Sequence, residues 1–323
     1  MFNGIGLPFF NKTTFMMKIN SIFLTLLTAV LVIACGPSKD EAERLSAQER
    51  TRLKTLDSLA FKVGVQPTLD CLPVYVAHEE HLFDSLGVDV RLRPYGAAID
   101  CDAAFRAGQL QAAVIDLVSC RRMAGLGVPL RYAAATNAYW QLVSNRQARI
   151  RHIKQLKDKM MAMTRFSATD MLGDYAVDSA GLVSDHVFRI QINDPGVRLG
   201  MLLNNEMDAM FLSEPHATAA RMHRHVVLMD SRDKDLWLGV VALYGSLPRD
   251  VHRRRQEEAF VKAYDRACDM INKNGVRHYA ETIRKYCKVD GKVVAALPEM
   301  KYRHAAQPRT KDLEAAGQWL KNK

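Results

Sequence analysis

The chain has 323 residues, a formal net charge of +10 at pH 7, 48% apolar and 25% charged residues. These proportions are those of a globular protein and exclude a disordered or fibrous chain. Residues 248–323 supply most of the net positive charge, with 18 basic and ten acidic side chains. Because the charges are interspersed and no nucleic-acid-binding motif accompanies them, they indicate a solvated helical surface; contact with anionic lipid or a partner is the alternative.

The N-terminal segment has the features of an export signal. Lys18 precedes an apolar run of 12 residues, Ile22–Ile33. This run is shorter than the roughly 17–25 residues of a membrane span, and it ends in a small residue, Ala34, as a cleaved signal does. The segment before Met16-Met17 is a poor n-region, which leaves the start codon open.

The end of this run, Val32-Ile33-Ala34-Cys35, resembles the bacterial lipobox. That resemblance implies that residues 1–34 are removed and that Cys35 is acylated and becomes the new N-terminus. The protein is then expected in the cell envelope, lipid-anchored on the extracytoplasmic side, in the periplasm or on the outer surface. An uncleaved anchor helix and a plain secretory signal are the alternatives.

Five cysteines follow Cys35, and they show neither a CxxC pair nor zinc-ligand spacing. We therefore predict no metal site and no cofactor. Cys71, Cys101 and Cys120 each follow a different early strand. A Cys71–Cys101 disulfide and three buried thiols both remain open, because a disulfide's geometry cannot be judged from sequence.

The chain after Cys35 begins with a polar tether, residues 35–59, that is predicted to end in a helix; strands and helices then alternate. The predicted strands are 61–65, 88–93, 112–115, 130–135, 141–144, 159–163, 187–192, 209–212, 226–229 and 238–243. The predicted helices are 70–84, 99–107, 117–125, 150–158, 168–180, 195–204, 215–223, 250–273, 276–287, 290–297 and 310–321. Such alternation indicates an α/β protein with mostly parallel sheets.

We predict two α/β lobes, each a doubly wound, mostly parallel sheet, with a helical C-terminal cap. The first lobe is expected to comprise residues 60–136 and 239–323, and the second residues 137–238. The chain would therefore cross between the lobes twice.

Four segments in order carry a resemblance to a known family. They are Val63–Pro67, Ala77–Val90, Ala103–Ala113 and Asn205–Ala217. They resemble type II periplasmic solute-binding proteins of ABC transporters, in the branch that binds aliphatic sulfonates, taurine, nitrate and thiamine precursors. The chain departs from the family pattern at Glu80–Phe83 and at Gln111.

The resemblance implies a monomeric binding protein, not an enzyme, that closes on a small solute and delivers it to an ABC permease and its ATPase. In open α/β sheets, ligands bind beyond the carboxyl ends of the strands. The candidate ligand-binding residues, which lie just after the strands, are Thr68, Asp70, Cys71, Tyr95, Gly96, Asp116, Ser119, Asn137, Tyr139, Arg165, Ser167, Thr169, Glu214 and Trp237.

The chemistry of these residues favours a solute of mixed charge. Arg165 precedes the hydroxyl-rich helix start of Ser167 and Thr169, which suits a sulfonate, phosphate or carboxylate, although Ser and Thr are also ordinary helix caps. Asp70 and Glu214 suit an amine, although Asp70 could serve only as a helix cap and Glu214 could only open its helix. Together with Asp116, these residues favour a zwitterionic or amino-heteroaromatic solute over a bare anion.

Three of the candidates are aromatic. Tyr95, Tyr139 and Trp237 are expected either to sandwich a ring of the solute or to belong to the core.

Two other function classes remain open. A periplasmic enzyme on the same fold is one, although no GxSxG or metal motif is present. A surface-exposed interaction or sensor lipoprotein is the other, since Lys39-Asp40-Glu41 resembles the acidic surface-export signals of Bacteroidetes lipoproteins.

Overall fold

The computed structural model describes residues 39–247 and 249–323. The predicted signal peptide and Cys35 lie outside these residues. The chain divides into two compact units at Leu59 and Ala60. The first unit contributes one described helix, α1 (Lys39–Leu59), and the second contains all the strands given below. No helix in the described ranges is long and apolar enough to cross a bilayer.

The second unit contains two five-stranded sheets. In chain order the strands are β1 (Phe61–Val65), β2 (Val90–Pro94), β3 (Ala112–Asp116), β4 (Leu130–Ala135), β5 (Gln141–Ser144), β6 (Lys159–Met163), β7 (Val187–Gln191), β8 (Ala209–Leu212), β9 (Val226–Asp230) and β10 (Gly239–Tyr244). The first sheet has the order β2-β1-β3-β10-β4 and the second the order β7-β6-β8-β5-β9. The predicted two-lobed α/β fold is confirmed.

Each sheet contains one strand that runs against the other four. In the first sheet this strand is β10, which is antiparallel to both β3 and β4. In the second sheet it is β5, which is antiparallel to both β8 and β9. Each reversed strand is the first strand of its sheet after the chain has crossed from the other lobe, which explains why the sheets are mostly, not wholly, parallel.

Helices flank both sheets. In chain order they are α2 (Leu72–Glu79), α3 (Leu82–Ser85), α4 (Ala98–Arg106), α5 (Leu117–Gly125), α6 (Ala168–Ser179), α7 (Pro195–Leu203), α8 (His216–Met222), α9 (Val251–Asn274), α10 (Ala280–Cys287), α11 (Gly291–Ala295) and α12 (Thr310–Asn322). Most agree with the predicted ranges to within one or two residues at their ends.

Three predicted helices differ from the structure; one of them, 276–287, begins as a 3₁₀ turn, Val276–Tyr279, and is α-helical only over α10. The predicted helix 70–84 is divided into α2 and α3 at His81, whose φ of 53° is left-handed and interrupts a right-handed helix. The predicted helix 150–158 contains only a short 3₁₀ turn, Ile153–Leu156. There Gln155 Oε1 accepts hydrogen bonds from the backbone N–H groups of Arg151 at 2.9 Å and His152 at 3.0 Å, which closes the chain into a compact turn.

The C-terminal helices pack on the first sheet. Phe61 of β1 contacts Phe260 of α9, with ring centroids 5.3 Å apart, and Phe83 stacks on the same ring at 5.8 Å. Full burial of an aromatic side chain of this kind contributes roughly 1.5–3 kcal/mol. The helical cap is thereby an integral part of the first lobe's core.

The two segments that cross between the lobes are residues 136–140 and residues 231–238, and they are hydrogen-bonded to each other. Ser231 N–H donates to Trp140 O at 2.9 Å, and Trp140 N–H donates to Ser231 Oγ at 3.0 Å. At the base of the second crossing, a Cβ on Gly239 would lie 2.2 Å from Thr136 Oγ1 and 2.4 Å from Ala138 Cβ. Only glycine therefore permits this approach. The predicted lobe boundaries at 136/137 and 238/239 stay predictions.

Helix α12 contacts both lobes. It packs along α5 of the first lobe, where Gly317 lies against the guanidinium of Arg121. Near its end, Trp319 Nε1–H donates to Asp174 Oδ2 of α6 in the second lobe at 2.7 Å. Lys323 Nζ lies 3.0 Å from the same carboxylate oxygen. The helix thus spans the boundary between the lobes.

The five cysteines among the described residues are buried free thiols. Cys71 lies in the core beside the C-terminal helices, whereas Cys101 lies in a separate apolar cluster. The disulfide that the sequence leaves open is therefore absent, and the thiols pack as small apolar side chains.

Candidate functional site

A cavity of about 70 Å³ lies between the two lobes, at the carboxyl ends of β1, β3, β6, β7 and β8. We call it the cleft cavity. It is lined by Gln66, Thr68, Asp70, Ala98, Val114, Ile115, Asp116, Ala138, Trp140, Thr164, Ser167, Ala168, Thr169, Asn193, Pro195, Arg198, Phe211 and Ser213. This is the position at which α/β sheets bind ligands. Five of the predicted site residues line it, and they are Thr68, Asp70, Asp116, Ser167 and Thr169.

Asp116 connects the lobes within this cavity. Its Oδ1 accepts hydrogen bonds from Ser119 N–H, at 3.0 Å in its own lobe, and from Ala168 N–H, at 3.0 Å in the other lobe. Its Oδ2 accepts the Ser119 hydroxyl at 3.1 Å. Burial raises the pKa of Asp116, and the hydrogen bonds from Ser119 oppose this shift. Ser119 therefore supports Asp116 and does not line the cavity.

Asp70 is the second carboxylate of the cleft cavity. It lies in the short turn Leu69–Cys71 after β1. Burial raises its pKa, and the charge of Asp116 adds to the shift while Thr68 opposes it. Cys71, directly behind it, is fully buried; its Sγ accepts a long hydrogen bond from Gln66 N–H at 3.4 Å. Cys71 thus shapes the turn from outside the cavity.

Arg198 is the cation that lines the cleft cavity, and it is not among the residues predicted from the sequence. Its side chain is only 4% exposed. Nε donates to Ile192 O at 2.6 Å, Nη1 to Phe211 O at 2.9 Å and Nη2 to Thr164 Oγ1 at 2.5 Å. All three partners are neutral, and burial lowers the pKa of Arg198 to about 10.

A guanidinium has five N–H donors, so two remain beyond these three bonds. The sequence does contain a pattern that could have predicted this position of Arg198. Asp194-Pro195 begins α7 after β7, which places residue 198 in the first helical turn at the same sheet edge.

Arg165, the arginine predicted from sequence, is exposed and does not line the cleft cavity. The start of α6 that follows it is already occupied. Ser167 Oγ accepts from Thr169 N–H at 3.2 Å, Ala168 N–H is bound to Asp116, and Phe166 N–H donates to Asp170 Oδ2 at 2.9 Å. Ser167 thus caps α6, and Thr169 Oγ1 accepts from Thr164 N–H at 2.9 Å, while both residues also line the cavity.

Two candidates after β2 lie at the edge of the cleft. Tyr95 is half-buried and packs against an apolar cluster. A Cβ on Gly96 would lie 2.8 Å from Asp194 Oδ2 of the opposite lobe. Glycine at this position allows the lobes to approach closely.

The remaining candidates lie away from the cleft cavity. Glu214 is buried within the second lobe, where Oε1 accepts from the Tyr139 hydroxyl at 2.7 Å and from Arg221 Nη2 at 2.6 Å. Burial raises the pKa of Tyr139, and the charge of Glu214 adds to this effect. Asn137, Tyr139 and Trp237 line a different cavity of about 240 Å³, beside the two crossing segments.

We call this second space the hinge cavity. It is lined by Thr136, Asn137, Ala138, Tyr139, Arg232, Leu236, Trp237, Glu299, Met300, Lys301 and Arg303. Ala138 lines both cavities, so a single crossing segment separates them. Five of the fourteen predicted candidates thus line the cleft cavity, three line the hinge cavity and six line neither.

The described part of the chain contains no group of three or more His, Cys, Asp or Glu residues arranged to hold a metal ion.

Comparison with known proteins places the chain in a family. The model of the NMT1-like family matches residues 55–284, more than half of the sequence. The chain belongs to the NMT1-like family. A search of curated proteins returns no match.

Solved structures share the fold of this NMT1-like protein. A ligand-binding component of an ABC-type import system from Staphylococcus aureus, with zinc bound, is 15% identical, with a TM-score of 0.68 over 81% of this chain and 91% of that chain. The periplasmic aliphatic sulphonate binding protein SsuA from Escherichia coli is 14% identical, with a TM-score of 0.64 over 81% and 87%.

A third similar structure is the Candida albicans CA3427 gene product, described as having the generic periplasmic binding protein fold. It is 14% identical, with a TM-score of 0.57 over 73% of this chain and 79% of that chain. At such identities the likeness concerns the fold, and the periplasmic binding protein fold predicted from sequence is confirmed.

Proposed function

We propose that this NMT1-like protein is an extracytoplasmic solute-binding protein that captures a small polar solute between its lobes and delivers it to an ABC permease. The observation that carries the proposal is the cleft cavity, which holds a buried arginine, Arg198, with no carboxylate within ion-pair distance among the described residues, together with the buried Asp116 and the half-buried Asp70. Two proteins of similar fold support the same class: the one from Staphylococcus aureus is named as a component of an ABC-type import system, and the one from Escherichia coli as a periplasmic binding protein.

The charges in the cleft cavity favour a solute that carries both signs, or both donors and acceptors. Arg198 offers two N–H donors to an anionic or acceptor group. Asp70 offers a carboxylate to an amine or another donor, because Asp116 already accepts three hydrogen bonds. A bare anion such as nitrate would meet Arg198 but would face Asp70, which disfavours it by like-charge repulsion.

The size of the cavity limits the solute further. About 70 Å³ is far less than the roughly 300–1,000 Å³ of drug-sized pockets. A small amino acid, an aminosulfonate or a pyrimidine is therefore a better candidate than an extended molecule, and a larger one would require the lobes to open. Entry would in any case need a hinge motion, because Asp116 and Ala168 bridge the cleft.

The proposal includes the cellular setting expected from sequence. The protein would be a monomer tethered by acylated Cys35, without a cofactor and without an enzymatic reaction, and would meet the permease and its ATPase at the membrane. The polar helix Lys39–Leu59 would follow the lipid anchor along the chain.

A thermal-shift screen of sulfonates, nitrate, pyrimidines and amino acids tests the proposal. A solute at a hundredfold excess over its Kd adds about 2.7 kcal/mol of apparent stability. Asp70→Asn should abolish or strongly reduce the shift caused by an amine-bearing solute. Asp269→Asn, at an exposed position, is the matched control and should behave as wild type. A screen without any stabilising solute would count against the proposal.

Calorimetry on the solute so identified then separates the two arginines. Arg198→Lys should weaken binding by about tenfold, since an ammonium cannot reproduce the fork of a guanidinium. Arg165→Lys, at the exposed position, should leave the affinity unchanged. Weaker binding by Arg165→Lys, with unchanged binding by Arg198→Lys, would instead assign the anion-binding role to Arg165.

A further inference from the structure

We infer that the hinge cavity is a second ligand site, which takes a small aromatic anion. This inference goes beyond the proposed function and does not depend on it. Its basis is the charge, the aromatic surface and the rigidity of the residues that line a cavity of about 240 Å³ beside both crossing segments.

The charge of the hinge cavity is positive after its ion pairs are counted. Arg232 is paired with Asp230, at 2.7 Å between Nη2 and Oδ2, and Glu299 is paired with Arg277 at 3.0 Å. Lys301 and Arg303 line the cavity as well. Neither has a carboxylate within ion-pair distance among the described residues. Two cations thus remain for an anionic ligand.

The guanidinium groups of the cavity are already stacked on aromatic rings. Arg303 Cζ lies 3.7 Å from the ring centroid of Trp237, and Arg232 Cζ lies 3.9 Å from that of Tyr139. A flat ligand placed against either guanidinium would extend such a stack and bring an attached carboxylate to the remaining N–H donors. This arrangement favours an aromatic anion over an aliphatic one.

The loop that presents the two unpaired cations is fixed by its backbone. Asn137 Nδ2 donates to Lys301 O at 3.2 Å, and Cys268 Sγ–H donates to Arg303 O at 3.3 Å. Between them, the buried Tyr302 exchanges two hydrogen bonds with Asn272, at 2.9 and 2.6 Å. The site is thus largely formed before a ligand arrives, which lowers the entropic cost of binding.

The size of the cavity suits one ring with its substituents, since it lies just below the usual range of small-molecule pockets, roughly 300–1,000 Å³. Because both crossing segments contribute to its walls, an occupant would touch the two stretches of chain that must bend when the lobes move. Occupancy of the hinge cavity and opening of the cleft are therefore expected to be linked.

Titration with benzoate and with benzylammonium tests the inference, because these probes share a ring and differ in the sign of their charge. Binding is followed by calorimetry and by tryptophan fluorescence. Benzoate should bind saturably, and benzylammonium at least tenfold more weakly. Arg303→Gln and Lys301→Gln should each weaken benzoate binding by about tenfold, the loss expected for a charge-assisted hydrogen bond. Lys154→Gln, at an exposed position of the second lobe, is the control and should bind benzoate as wild type does.

Two further variants keep the outcome decisive. Arg303→Lys retains the charge but not the planar stack and should recover only part of the affinity. Asp70→Asn in the cleft cavity should leave benzoate binding unchanged. Absence of saturable benzoate binding, equal binding of both probes, or loss of benzoate binding in Asp70→Asn with retention in Arg303→Gln would each overturn the inference. The last result would place benzoate in the cleft and would leave the proposed function standing.

Discussion

Asp116 of the first lobe and Ala168 of the second are joined across the cleft by a hydrogen bond of 3.0 Å from the Ala168 N–H to Asp116 Oδ1. The carboxylate also caps its own helix, α5, through Ser119 N–H. One side chain therefore connects the starts of two helices in different lobes. A free anion that was to bind the first N–H groups of α6 would have to displace it.

Replacing this carboxylate should both destabilise and open the protein. Asp116→Ala removes a helix cap, which costs about 1 kcal/mol, and also removes the bridge to Ala168. Urea unfolding should show the loss of stability, and small-angle scattering of the ligand-free protein should show a larger radius of gyration. Asp290→Ala removes a comparable cap from α11, where Asp290 accepts from Lys292 and Val293. It should lower stability without enlarging the molecule; enlargement in both variants would contradict the prediction.

The buried carboxyl of Asp102 should make stability depend on pH. Asp102 is 6% exposed, and burial, with the charge of Asp116 in addition, raises its pKa from 3.8 to about 7. Since the folded state holds this proton more tightly than the unfolded state, stability falls as pH rises from about 4 to about 7. Asp102→Asn removes this loss and should gain stability relative to wild type across that window.

Chemical denaturation of both proteins at pH 4 and pH 7 measures the effect. The difference between variant and wild type should grow by more than about 1 kcal/mol, because one pKa unit corresponds to about 1.4 kcal/mol. A constant difference at the two pH values would show that the Asp102 pKa is not raised.

Gly239 should tolerate no side chain at the base of the second crossing. In Gly239→Ala the new Cβ would meet Thr136 Oγ1 and Ala138 Cβ at 2.2 and 2.4 Å, so the crossing segments must separate. Overpacking of this kind costs roughly 1–3 kcal/mol. Gly200→Ala in α7 is the control, because nothing lies within 4 Å of its added Cβ. It should be neutral or slightly stabilising; a similar loss in both variants would refute the steric argument.

The contact between α12 and the second lobe should depend on one indole N–H. Trp319→Phe keeps most of the buried ring but removes the bond to Asp174, and a hydrogen bond to a charged group is worth roughly 1.5–3 kcal/mol. Faster hydrogen exchange is therefore expected in residues 310–322 of the variant.

The same contact should depend on pH. Burial acts to raise the pKa of Asp174, but Lys323, Arg189 and Trp319 lower it overall. The contact should thus weaken in wild type as pH falls below about 4, whereas Trp319→Phe should exchange rapidly already at neutral pH.

The proposed lipid anchor at Cys35 can be tested, although this residue lies outside the described residues. Cys35→Ser should release the protein from the membrane fraction or leave its signal uncleaved, because serine cannot form the thioether. Fractionation and mass spectrometry of the N-terminus would show this. Processing and membrane association equal to wild type would exclude the lipoprotein interpretation.

Local patterns predicted most of the fold. Strands such as 61–65, 130–135 and 159–163 have the predicted bounds, because short apolar runs between turn residues determine them locally. The reversal of β5 and β10 was not predicted, since strand pairing is decided by contacts between residues far apart in the chain. His81 was likewise placed inside a helix, because nothing in its neighbours signals a left-handed φ.

The location of the candidate site was predicted more reliably than the identity of the residues that line it. Asp70 and Asp116 lie in the cleft cavity because residues after parallel strands share one sheet edge. Arg165 follows a strand as well, yet its side chain is exposed, while Arg198, one helical turn further from its strand, is buried at the same edge. Sequence position alone does not give the direction of a side chain, which packing determines.

The position of β10 constrains the order in which the lobes can fold. It lies between β3 and β4, and Val240 pairs with Ile115, 125 residues earlier in the chain (240 − 115 = 125). Until it arrives, β3 and β4 cannot be joined into one sheet. The five strands of the second sheet, by contrast, follow one another from Gln141 to Asp230 without interruption. The second lobe can thus complete its sheet first, and the first lobe exposes unpaired strand edges, which favour aggregation, until the whole second lobe has been synthesised.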